Sequence, residues 1–157
     1  MCEFISNILK FQPFWTVICG VVVFVIIEWV KEVAFDPLRR YKDLKQDIAR
    51  GLVLYANLYS NPINPGKEAQ YKADLISSYE DASLKIRELA SFLSGFIACI
   101  PKLRLGIPSK ENLLKAEQGL IGLSNSFFLP VGSDGDSRYY DSIEDRVKII
   151  KTKLKIN

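Results

Sequence analysis

The residues best placed by type and spacing to do chemistry are the aspartates of SDGDSRYYD, namely Asp134, Asp136 and Asp141. Carboxylates repeated this closely can ligate calcium. As an EF-hand loop the stretch fails, because the sixth position, which needs glycine for its sharp turn, is Tyr139. No metal site is expected. Histidine is absent from the chain, which removes the commonest general base and the commonest metal ligand together. GxxxxGK[ST], GxGxxG and HExxH are also missing, so neither a phosphate cradle nor a zinc protease has support. Carboxylate neighbours such as Glu80 and Asp81 read as solvated charge. The expectation is a protein with no catalytic residue and no cofactor.

A second group is less ordinary. Asn57, Asn61 and Asn125 stand in otherwise apolar helical surroundings beside Tyr55 and Tyr59. A buried amide must find partners or cost stability. Capping and an interhelical hydrogen bond account for these asparagines. The sharper reading is a polar pocket or binding surface formed by Tyr55, Asn57, Tyr59, Asn61 and Asn125. Cys2, Cys19 and Cys99 match neither a zinc spacing nor a disulfide framework. Cys19 and Cys99 are expected as small apolar filler.

The elements that must position these groups begin with FWTVICGVVVFVIIEWV at 14–30. Phe14 to Ile27 carries no charge and would measure about 21 Å as a helix, and widening the window to 11–30 gives about 30 Å, the hydrocarbon thickness of a bilayer. Its Val, Ile and Phe residues favour insertion by roughly 3 to 6 kcal/mol, against about 3 kcal/mol for a glutamate at the bilayer centre. A membrane-spanning helix over 13–31 is therefore expected, after a short tail over 1–12. Trp15, Trp29, Lys31, Arg39 and Arg40 would serve as its interfacial anchors. Basic residues concentrate after the run, so the N-terminus would lie outside and residues 32–157 in the cytoplasm, at the inner membrane. Thr16 and Gly20 form a small-xxx-small pair of the kind that lets helices approach closely.

The remainder reads as all-α, an antiparallel bundle of about four helices. The first spans about Asp36 to Tyr59, with Pro37 at an early position, and SNPINPG at 60–66 stops it. The second, about Lys67 to Ile100, has Leu75, Tyr79, Ala82, Ile86, Leu89, Leu93, Phe96 and Ile100 stepping by four and three. That is a coiled-coil-like seam, to be buried in the chain's own bundle or in a partner. Ser109 is an N-cap for a third helix over about Lys110 to Phe128. Asp141 and Glu144 form a capping box for a last helix ending near Leu154. Lys148, Lys151, Lys153 and Lys155 make that helix basic, which suits its macrodipole and also contact with anionic headgroups.

YANLYSNP at 55–62, IRELASFL at 86–93 and LGIPSKENL with LIGLSNS to residue 126 resemble a group of uncharacterised prokaryotic single-span membrane proteins with a cytoplasmic helical domain. The similarity covers about residues 40–127 and implies no activity, ligand or catalytic residue. The functional expectation is a membrane-anchored, non-catalytic interaction, scaffold or assembly module. Its partners would be membrane lipid and either another protein or itself. An oligomeric pore or accessory subunit of a membrane complex is the alternative, and a histidine-free enzyme the next. A net charge of +3, with Lys and Arg interspersed among Asp and Glu, gives no basic stripe for nucleic acid. No small-molecule ligand is identified.

Overall fold

The computed structural model describes residues 12–64, 66–67, 71–100, 106–130 and 137–156, with 12–14 as backbone alone. Asp134 and Asp136 lie outside these residues. Among those described the fold is all-α with no strand, only an isolated parallel bridge between Ile63 and Phe128. A long helix, α1 (Gln12–Val30), runs through a π-helical turn (Lys31–Phe35) into α2 (Asp36–Leu54). Pro37 explains the turn. In a regular α-helix its ring would strike the carbonyl of Val33. Here the Asp36 N–H reaches back to the Lys31 carbonyl, and the wider turn makes room without breaking the rod.

Three further long helices complete a bundle. They are α4 (Ala73–Ala98), α5 (Lys110–Ser124) and α6 (Ser137–Leu154), with a five-residue α3 (Ala56–Ser60) after α2. The seam read in α4 is real and is covered by the chain itself. Tyr79, Ala82, Ile86 and Leu93 are buried, Leu89, Phe96 and Ile100 are half-buried, and only Leu75 at the start is exposed. Ile48 and Leu52 of α2, Leu113, Leu120 and Leu123 of α5, and Ile150 and Leu154 of α6 share this core. Gly119 lets α5 and α6 approach closely, since a Cβ there would stand 2.8 Å from Ile150 Cγ1.

Local chemistry moves several predicted boundaries. The Tyr59 hydroxyl donates to the Leu52 carbonyl at 2.9 Å, the acceptor that an unbroken helix would offer to the Ala56 N–H, and the helix expected through Tyr59 breaks at Tyr55. α4 starts at Ala73, not Lys67, because Asn64 holds a turn. Its Oδ1 accepts from Gly66 N at 2.8 Å and its carbonyl from Lys67 N at 3.0 Å. Ser109 does cap α5, accepting from Asn112 N at 3.3 Å. α6 begins at Ser137, so Asp141 sits inside the helix and is not its cap.

The largest correction concerns α1. Among the described residues, no helix is long and apolar enough to cross a membrane. The described uncharged run, Gln12–Ile27, measures about 24 Å against the roughly 30 Å of a hydrocarbon core. Charge follows it at once, as Lys31 Nζ pairs with Glu28 Oε1 at 2.7 Å. The single-pass placement with an outer N-terminus and a cytoplasmic domain is overturned.

Candidate interaction site

α1 has low intrinsic helix propensity, being rich in Val and Ile. Its large apolar side chains from Trp15 to Trp29 are 36 to 66% exposed, and they point to every side. A helix apolar all round belongs in apolar surroundings. Where α1 meets the bundle, a cleft of about 890 Å³ opens between diverging helices. Trp29, Val33, Pro37 and Leu44 form one wall, with Glu32, Asp36 and Arg40 along it. The facing wall is Phe92, Gly95 and Phe96 of α4 with Cys99 just past its end, and carries no charge. Tyr41 stacks at a tilt on Phe96, ring centroids 6.0 Å apart, at the level where α2 and α4 come together. Gly95 adds to the opening, as a Cβ there would meet nothing within 4 Å.

The expected asparagine and tyrosine pocket does not form. Asn57, Asn61 and Asn125 are exposed, Tyr55 is half-buried and Tyr59 is buried. Asn61 Nδ2 donates to the Asn57 carbonyl at 2.8 Å, and Asn125 Oδ1 accepts from Arg87. Tyr59 lines a separate 310 Å³ hollow with Tyr140, Ile143 and Val147. Trp15, Trp29, Lys31, Arg39 and Arg40 are all exposed; the anchoring expected of them required a membrane span, and no described helix is long and apolar enough to make one. Cys19 and Cys99 are exposed too, not core filler.

Several polar contacts that brace the fold were not singled out in the sequence. Arg146 donates to the Gly122 carbonyl at 2.7 Å and to Ser126 Oγ, within the α5–α6 interface. Tyr139 donates to the Phe128 carbonyl at 2.9 Å. Tyr41 donates to the Leu154 carbonyl at 2.8 Å, and Lys45 to that of Lys155, so α2 caps the end of α6. Burial pushes Tyr41 up to about 12 and raises Tyr59, Tyr79 and Tyr139 as well. Each of these hydroxyls donates to a main-chain carbonyl, so they brace the fold. No group of three metal-ligating side chains occurs among the described residues.

No family model matches the chain, and no curated protein or solved structure matches it.

Proposed function

We propose that this protein is a non-catalytic assembly module that docks through α1 onto apolar helices of other protein chains and presents its bundle alongside them. One observation carries this reading: eleven large apolar side chains between Trp15 and Trp29 face outward. Burying such a side chain fully is worth about 1.5 to 3 kcal/mol, and these are already half-shielded by their own helix, so covering them all would release on the order of 10 kcal/mol. That is comparable to the whole stability of a small domain, roughly 5 to 15 kcal/mol. A helix of this composition is also marginal alone in water. Apolar surface from another chain supplies what is missing.

The test is crosslinking of the full-length protein in mild detergent, followed by mass determination. Wild type is expected to form complexes above the monomer mass. The double variant Val22→Glu/Val25→Glu is expected to lose them while its bundle unfolds at the same temperature. A wild-type protein that stays monomeric, or a double variant that still assembles, overturns the proposal.

A further inference from the structure

Building on that reading of α1, we infer that its partner is a second copy of this chain, and that each copy seats α1 in the other's cleft about an antiparallel two-fold axis. Three features lead there. The first is length. The apolar stretch Trp15–Val30 and the cleft wall Trp29–Leu44 each cover sixteen residues of one continuous rod, about 24 Å. Placing the axis at Trp29–Val30 sets Trp15 opposite the partner's Leu44 and Cys19 opposite the partner's Arg40, with both segments covered along their whole length.

The second is the face presented. Trp29 lines the cleft. Stepping back by three and four from Trp29 gives Ile26, Val22, Cys19 and Trp15, so the stripe aligned with the cleft is apolar throughout. An isologous interface needs the same patch on both copies, and this stripe with its cleft is such a patch. The apolar surface of the helix runs without interruption into the groove at Trp29.

The third is charge and size. Glu28 and Lys31, which pair with each other at 2.7 Å, lie off the cleft lining and stay outside the docked face. Asp36 and Arg40, a helical turn apart with the acid first, are spaced to pair as water leaves the groove. Taking α1 as a cylinder about 10 Å across and half covered, two such dockings bury roughly 1,500 Å² in all, the size of a standard stable interface. Val17, Val21 and Phe24, away from this stripe, stay open to further partners.

Two native cysteines test the register. Cys99 and Arg40 line the same cleft, and Phe96, three residues before Cys99, stacks on Tyr41 next to Arg40, which brings Cys99 near the level of the partner's Cys19. In a Cys2→Ser background at micromolar concentration, mild copper–phenanthroline oxidation is expected to give a disulfide-linked dimer. Peptide mapping is expected to place the link between Cys19 and Cys99, and Cys19→Ser or Cys99→Ser to abolish it. A link between two Cys19 residues would keep α1 as the docking helix but overturn its seat in the cleft. A wholly monomeric protein, or one that floats with phosphatidylcholine vesicles without dimer, overturns this inference and the proposed function together. Gly95→Arg gives a second readout. There is open space for the side chain in the monomer, so the unfolding temperature is expected to hold while dimerisation weakens at least tenfold. Undiminished dimerisation in that variant would sink the cleft as the seat.

Discussion

α4 and α1 are both long helices rich in apolar residues, yet they end in opposite environments. In α4 a stripe of apolar residues falls on one face, and that face is buried from Tyr79 to Ile97, with Leu84 and Phe92 left outside it. In α1 the apolar residues fall on every face, and the helix is exposed from Trp15 to Trp29. A stripe names a direction, and a neighbouring helix can satisfy it. A uniform apolar surface names none, so the fold of the remaining chain cannot cover it. Patterned apolarity is a folding instruction; unpatterned apolarity is a demand on the surroundings.

Substitution can break this contrast. Leu93→Ala in α4 is expected to lower stability by about 2 to 5 kcal/mol, the usual effect of a buried leucine cavity. Val17→Ala in α1, outside the docking stripe, is expected to stay within about 0.5 kcal/mol, as for exposed sites. Urea unfolding of both checks it, and equal losses would mean that α1 is packed on the bundle.

A pH series sharpens the same contrast, because the tyrosines with raised pKa all belong to the bundle. Tyr41 in the folded state titrates near 12, above the ordinary value of 10. Its neutral phenol therefore supports the fold fully below pH 10, and that support is lost as pH rises through 12. A shift of this size corresponds to about 2 to 3 kcal/mol. Tyr41→Phe is expected to flatten part of the alkaline decline followed by chemical denaturation, and Tyr59, Tyr79 and Tyr139 to account for more of it.

The smallest effect compares two glycines. Gly119→Ala forces a methyl against Ile150 at 2.8 Å and is expected to cost about 1 to 3 kcal/mol by overpacking. Gly20→Ala meets nothing within 4 Å and is expected to be neutral or to favour the helix slightly. Thermal unfolding of the pair distinguishes them.

The sequence carried the bundle well where periodicity spoke. Tyr79, Ile86 and Leu93 declared their face through spacing alone, and Ser109 declared its cap. It carried the boundaries poorly wherever a distant or non-periodic side chain decided them. The break at Tyr55 depends on a hydroxyl four residues later, and the delayed start of α4 on the Asn64 turn. Nor could spacing reveal Arg146, whose carbonyl and hydroxyl partners lie on a different helix. Asn57, Asn61 and Asn125 seemed conspicuous because their sequence neighbours are apolar, but Asn57 is on the outer face of its helix and Asn61 and Asn125 sit at exposed helix ends. The cleft was hidden because its walls are about sixty residues apart in the chain. The apolar run itself was plain, and what it overstated was reach.

The π-helical turn has an angular consequence. Its wider ring carries an extra residue in the joint between α1 and α2, and each residue of an α-helix advances the rod by about 100°. The turn is thus a phase setter. It decides which meridian of the apolar rod looks across to Phe92 and Phe96, and a chain lacking that residue would aim a different set of valines at them with every other feature unchanged.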